Sequence, residues 1–356
     1  MKRMKVDLGE HSYSILFSDS FQGLGEELRQ LGTHPKIMAV TEPNIRRLYG
    51  QALERELADY QLIWHEIPGG EECKTLETVS GIYQALMEHR FDRKGTLLAL
   101  GGGIVGDITG FAASSFMRGI DFLQVPTTLL AQVDSSVGGK TGVNFHYVKN
   151  IVGAFYQPKL VFANLSTLKT LSQRDYASGL GEVAKYGVLE GESLLSLLLE
   201  KAPDILRREK RVMGDIVALC CESKARIVSA DEREQGLRAV LNLGHTFAHA
   251  YETATRHSIY HGEAVALGLL SACKTAEQMG LFHETDRVKE LLTALGLPDR
   301  LPECSREETE AAMQGDKKQE DGRLRFVLPY GLGDVRVTEQ VPREAVACGL
   351  EAVWKR

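Results

Sequence analysis

Thr96-Leu97-Leu98-Ala99-Leu100-Gly101-Gly102-Gly103-Ile104-Val105-Gly106-Asp107 is the stretch on which the fold turns. A short apolar run ends at Leu100. Glycines follow, and Gly101, Gly103 and Gly106 fit G-x-G-x-x-G. Ile108, Phe111, Ala112 and Phe116 then recur at helical spacing. Strand, glycines and helix in that order are the context a dinucleotide-binding turn requires. The glycines let backbone approach a pyrophosphate, and the helix start offers free N–H groups. A tight βα turn with no ligand would carry similar glycines, so the context matters more than the pattern. Asp121 lies 20 residues after Gly101, where a ribose-binding acid is expected. It precedes a strand rather than following one, and it is not assigned that role.

Working outward, the first half alternates. Strand-like runs occur at 36–40, 62–64, 96–100, 122–125 and 160–162, and a helix is predicted over 76–89. Near-continuous apolar strands alternating with helices predict a mostly parallel sheet covered on both faces. After about residue 172 the pattern becomes amphipathic helix, at 192–201, 213–229, 264–279 and 284–295. A hairpin is predicted around Pro329-Tyr330-Gly331. The expected fold is an α/β Rossmann-like N-terminal domain, 1–165, followed by a mainly α-helical C-terminal domain, 166–356. A cleft between two such domains is a common place for an active site.

Composition narrows the function. The chain has 356 residues, 43% hydrophobic and 25% charged, with a net charge of -6. An acidic balance argues against generic nucleic-acid binding. No apolar run approaches the ~18 residues of a spanning helix. The basic start runs straight into Asp7 and Glu10 without an apolar segment, so no secretory signal is expected. Six cysteines form no C-x-x-C pair, which fits reduced thiols in a cytoplasmic protein.

The densest polar feature is Asn242-Leu243-Gly244-His245-Thr246-Phe247-Ala248-His249. His245 and His249 are four apart and share a helix face, a spacing that can hold a metal. His261 opens the next helix, and Glu182 sits between glycines in Ser178-Gly179-Leu180-Gly181-Glu182. A catalytic zinc wants about three protein ligands, which one Glu and two of these three His could supply. Gly138-Gly139-Lys140-Thr141 ends like a nucleotide P-loop, but Asp134 stands where the first glycine belongs, and the motif fails. Lys140, Lys149, Lys185, Arg238 and Lys317 can bind phosphate or carboxylate. Singly, most such lysines are only solvated.

In order along the chain stand GGE, GGGIVGD, QVPTTLLAQVDSSVGGKTGVN, KNIVGAFYQP, SGLGEVAKYG, GLRAVLNLGHTFAHA, HGEAVALG and GDKK. Together they resemble the 3-dehydroquinate synthase family, from about Val6 to the final helix. The resemblance implies a Rossmann-like NAD-binding domain and a helical metal and substrate domain. It implies Glu182, His245 and His261 as ligands of zinc (or cobalt), and His249 as a substrate or proton-relay residue. Lys140, Lys185, Asn242 and His249 match catalytic positions. Asp134, Asn150, Arg238 and Lys317 join them as substrate-binding positions. Arg118 matches an arginine that reaches the phosphate site of a neighbouring subunit, so a homodimer is expected. NAD contacts match Glu71, Lys74, Gly102, Gly103, Asp107, Thr127, Thr128, Lys140, Lys149, Thr167, Leu168, Lys169 and Thr170. Gly69, Gly181 and Glu42 depart from the family's usual residues.

The reaction implied is conversion of 3-deoxy-D-arabino-heptulosonate 7-phosphate to 3-dehydroquinate and phosphate, in the shikimate pathway. NAD takes a hydride from an alcohol, phosphate is eliminated beside the new ketone, and the hydride returns. Ring opening and an aldol closure complete the carbocycle. Other sugar-phosphate cyclases are the nearest alternative, but Arg238, Asn242 and His249 fit a carboxylate-bearing substrate. A metal-dependent polyol dehydrogenase needs fewer phosphate-binding cations. A non-catalytic NAD- or zinc-binding module would be expected to have lost a ligand or a lysine.

Overall fold

The computed structural model describes residues 1–146, 148–317 and 325–354, the last four of the middle span by backbone only. The chain forms two compact units. One is Met1–Thr170 with Lys224–Glu232, and the other is Leu171–Ser223 with Arg233–Arg356.

The first unit contains β1 (Lys2–Val6), β2 (Tyr13–Ser18), α1 (Leu24–Gln30), β3 (Lys36–Thr41), α2 (Pro43–Glu56), β4 (Gln61–Glu66), α3 (Leu76–Glu88), β5 (Thr96–Gly101), α4 (Gly103–Ser115), β6 (Asp121–Pro126), β7 (Lys140–Phe145), β8 (Val148–Phe155) and β9 (Leu160–Asn164). Seven strands make one sheet in the order β1-β2-β9-β6-β5-β3-β4. Every pairing in it is parallel except β1 with β2. The apolar runs explain the two-sided core. Along β5, Leu97 and Ala99 enter one buried cluster while Leu98 and Leu100 enter another. Met38 and Val40 of β3 join the first, and Ile37 and Ala39 the second. Alternate side chains of a strand point to opposite faces, so a continuous apolar run feeds both cores.

Two strand pairs escaped the sequence reading. The β1–β2 hairpin places a short, largely charged edge strand beside an apolar one, and β7–β8 is a separate antiparallel hairpin. The sequence of the latter shows glycines and cations rather than a strand pattern. The helix after the glycine-rich turn stops at Ser115, one residue before Phe116, which instead starts a short turn.

The second unit is helical. It contains α5 (Gln173–Glu190), α6 (Glu192–Leu206), most of α7 (Lys210–Ala230), α8 (His245–Ala254), α9 (His261–Gln278), α10 (Thr285–Ala294), α11 (Arg306–Lys317), the hairpin β10 (Phe326–Gly331) and β11 (Asp334–Thr338), and α12 (Arg343–Val353). The Ser172 side chain accepts from Asp175 N–H and caps α5, and Gly191 at φ 88 ends it. No helix among the described residues is long and apolar enough to cross a membrane.

Candidate functional site

In the first unit, the sheet delivers the cofactor candidates to one edge. Gly102 and Gly103 follow β5, Thr127 and Thr128 follow β6, and the turn Leu165–Lys169 follows β9. All three strands run parallel, so these turns leave the same end of the sheet. The chain order reverses between β3 and β5, and Glu42 follows β3 there. In open α/β sheets ligands bind outside the strand carboxyl ends at such a switch point.

The glycines leave room that a side chain would fill. A Cβ on Gly103 would lie 2.8 Å from the Ser135 hydroxyl oxygen, and one on Gly102 3.1 Å from the Thr128 methyl. A Cβ on Gly106 would sit 2.9 Å from Oε1 of Gln124 on β6, so that glycine serves helix–strand packing. No side chain caps the start of α4. A bare helix N-terminus framed by glycines fits an anionic diphosphate.

A second group gathers nearby in the same unit. Lys74, nearly buried, donates to Asp107 at 2.6 Å and to Asn150 at 2.5 Å. Asn144 donates to Glu71 at 2.8 Å and accepts from the Asn150 N–H at 2.9 Å. Glu71, Lys74, Asp107 and Asn150 therefore form one network. Burial pushes the Asp107 carboxyl up, and Lys74 only partly offsets that rise. Asp134 lies in a π-helical turn, Ala131–Ser135, and pairs with Lys224 at 3.0 Å. Thr128 caps that turn through Ala131 N–H. Thr167 is buried, and its hydroxyl donates to the Asn164 carbonyl and accepts from Gln132. Tyr49 bonds the Thr170 hydroxyl and the Thr167 carbonyl. Leu168 is buried, while Lys140, Lys149 and Lys169 are exposed.

In the second unit, Glu182, His245 and His261 come together. One ligand atom from each lies within 4.8 Å of the others. Close backbone approaches explain how. A Cβ on Gly181 would lie 2.0 Å from the Gly262 carbonyl, and one on Gly262 1.6 Å from that of Ser178. Only glycine lets α5 and α9 touch there, and the contact sets Glu182 beside His261. The Gly262 N–H also donates to Ser178 Oγ at 3.0 Å. Gly244, left-handed at φ 80, starts α8 against Gly268 of α9, and His245 follows it.

The donor set suits a divalent transition metal: one carboxylate and two imidazoles. Nε2 of His245 lies 3.6 Å, and Nε2 of His261 3.3 Å, from the same Glu182 oxygen. The Nδ1 atoms point outward, to the Leu243 carbonyl at 3.2 Å and to Glu252 at 3.4 Å. Such outer partners select the nitrogen left for a metal. Burial pushes the His245 imidazole down to about 3. Burial works the same way on His261, but its hydrogen bonds to Glu182 and Glu252 outweigh it and hold the ring up at about 10. Burial therefore disfavours a charge on His245, while the two carboxylates favour one on His261.

His249 is exposed on α8, its ring perpendicular to that of His245 with centroids 5.7 Å apart. The helix pair His245/His249 is therefore not the clustered set. Lys185, one turn after Glu182 and equally buried, pairs with it at 2.5 Å. Arg238 is buried in the turn Leu237–Asn242, and Asn242 donates to Glu234 at 3.0 Å. Lys317 ends α11, but its side chain lies outside the described residues. Arg118, in the first unit, is exposed in the turn after α4.

The sequence reading missed Glu252, Arg174 and Glu234. Glu252 follows His245 by seven residues, close to two helical turns, and that spacing was the available signal. Arg174 shows no such signal. It binds Glu263 through two hydrogen bonds, the Ser258 carbonyl and the Tyr260 ring, all at the start of α9.

The model of the 3-dehydroquinate synthase N-terminal family matches residues 64–178, and that of the C-terminal family residues 179–319. The chain is 43% identical to the 3-dehydroquinate synthase of Microcystis aeruginosa over 94% of each chain. It is 45% identical to that of Syntrophotalea carbinolica over 95% of each. Among solved structures, it resembles the 2-epi-5-epi-valiolone synthase of Streptomyces hygroscopicus subsp. jinggangensis, which has NAD+ and Zn2+ bound. That match has a TM-score of 0.86 and 28% identity, covering 95% of this chain and 96% of the other.

Proposed function

This chain belongs to the 3-dehydroquinate synthase family, and from that membership we propose that it converts 3-deoxy-D-arabino-heptulosonate 7-phosphate to 3-dehydroquinate and phosphate. The observation that carries the reading is the cluster of buried Glu182 with the partly exposed His245 and His261, with Lys185 beside it. We take residues 1–165 as the NAD-binding domain and 166–356 as the metal- and substrate-binding domain.

Bound NAD supplies a hydride acceptor that later returns the hydride, and a divalent metal, zinc or cobalt, supplies a Lewis acid for substrate oxygens. Glu182, His245 and His261 hold the metal. Gly102, Gly103 and the start of α4 receive the pyrophosphate. Thr127, Thr128, Leu168, Lys169 and Thr170 shape the same sheet edge, and Glu71, Lys74, Asp107 and Lys149 flank it. Thr167 acts by holding its turn, because its hydroxyl is engaged internally.

The substrate carries a phosphate and a carboxylate, and both require cations. Lys140, Lys185, Arg238 and Lys317 supply them, with Asp134 and Asn150 on the hydroxyls. Preorganised charge of this kind acts on the reacting groups without reorganisation. Asn242 is oriented by Glu234, and His249, exposed beside His245, moves a proton. The cycle has no net redox change, so each turnover releases one phosphate and leaves NAD oxidised. Inorganic phosphate released from the heptulosonate phosphate, with 3-dehydroquinate as the co-product, tests the assignment. Another carbocycle would move the chain to a different cyclase activity.

We place the enzyme in the cytoplasm as a homodimer. All six cysteines are free thiols. Met117, Arg118 and Gly119 are consecutively left-handed, an uncommon backbone for two non-glycine residues. Exposed Phe145, Val148, Ile151 and Phe155 lie on the β7–β8 hairpin, an apolar patch of the kind that marks an interface. Arg118 reaches the partner's substrate phosphate, where a guanidinium offers paired hydrogen bonds. Mixing Arg118→Ala with Lys185→Met protein tests this. Heterodimers contain one doubly defective site and one intact site, so activity should return, up to about half that of a wild-type dimer. If heterodimers form yet stay inactive, Arg118 serves its own subunit.

A further inference from the structure

His261 lies between two carboxylates. Its Nε2 is 3.3 Å from Glu182 and its Nδ1 3.4 Å from Glu252. Glu252 is only 5% exposed. Burying a carboxylate costs several kcal/mol unless it is compensated. The side chain comes from α8, the helix that also carries His245, and its own carbonyl accepts from His257 N–H at 2.7 Å. Its backbone is thus fixed at the helix end, and its carboxylate turns toward the first residue of α9. It does not join the cluster itself: the three atoms that converge belong to Glu182, His245 and His261.

The two histidines are set by the same device. At His245 the outward Nδ1 meets a backbone carbonyl, that of Leu243. At His261 it meets a side chain, so here the device can be removed by substitution.

We propose that Glu252 is a positioning residue for the metal: it accepts the Nδ1–H of His261 and so presents Nε2 of that ring to the ion. The proposal rests on the metal reading of Glu182, His245 and His261. Without Glu252 the ring can adopt the other tautomer and turn on its side-chain bonds, and the ion loses a preset ligand. Outer partners of this type are typically worth about 10- to 100-fold in metal affinity.

The test is Co2+ titration of chelator-stripped protein, with competing chromophoric chelator, for wild type, Glu252→Ala and Glu252→Gln. Thermal melts of the metal-free proteins run beside it. Wild type should bind one Co2+ per chain. Glu252→Ala should bind about 10- to 100-fold more weakly, and Glu252→Gln, which keeps an accepting oxygen without the charge, should recover part of the loss. An Ala variant within about threefold of wild type overturns the proposal while leaving the metal site standing. A Gln variant no tighter than Ala also overturns it, because the loss is then one of packing. Wild type that takes up no Co2+ overturns the metal reading and the proposal together. If Glu252→Ala does not fold, Glu252→Gln decides alone. A loss beyond about threefold with an unchanged melt supports the proposal, and any other result overturns it.

Discussion

His245 and His249 differ by one helical turn and by everything that surrounds them. His245 is walled in by Glu182, His261 and the Leu243 carbonyl, whereas His249 faces solvent. His245→Ala and His261→Ala should therefore lose metal and activity together. His249→Ala should keep its metal and lose about 10²-fold or more in rate, the usual worth of a positioned acid–base group. Metal content of the purified variants decides the point, and equal loss from the His249 variant contradicts the assignment. Lys185 gives a second test. It and Glu182 are both about 1% exposed. Removing one partner of a buried pair costs about 3–5 kcal/mol. Lys185→Met should destabilise the metal-free protein by that amount in denaturant titrations, and the metal-loaded protein by less, because the ion then balances Glu182. At this scale the sequence was half legible. Spacing located the chemistry but could not choose among three histidines, since the choice depends on which helix faces α9. Arg174 acts on the start of α9 from 89 residues away, a distance that spacing does not reveal, whereas Glu252 lies two helical turns after His245.

Elements reach the site through glycine. α5 and α9 touch at Gly181 and Gly262, and α8 meets α9 at Gly244 and Gly268. Gly262→Ala puts a methyl 1.6 Å from the Ser178 carbonyl, so the helices must part. Overpacking of this kind costs roughly 1–3 kcal/mol or more. Here it also separates Glu182 from His261, so metal affinity should fall along with the melting temperature. A variant that melts lower yet binds Co2+ as wild type does would show that the glycine contact does not set the ligand spacing. The parallel strands were readable because each is a continuous apolar run feeding two cores. The β7–β8 hairpin was not, because Gly142 and Gly153 face each other across it and its outward apolar residues follow no clean alternation. The departures at Gly181 and Glu42 look different once placed. Gly181 is the contact itself, and Glu42 follows β3 at the switch point.

For the whole molecule, the two units present two different kinds of candidate site. The glycine turn and strand ends of the first suit a dinucleotide, and the Glu–His–His cluster of the second suits a metal. Both halves also suit a polyol dehydrogenase, which uses the same pair of cofactors but consumes NAD. The proposed roles of Lys140, Lys185 and Arg238 set the two apart, because a substrate bearing phosphate and carboxylate calls for cations that a polyol does not. The decisive measurement follows phosphate release and the NADH absorbance together, with the heptulosonate phosphate in large excess over NAD and a divalent metal present. The account predicts many phosphates released per NAD and no lasting rise in NADH. NADH accumulating in step with substrate consumed, without phosphate, would contradict it.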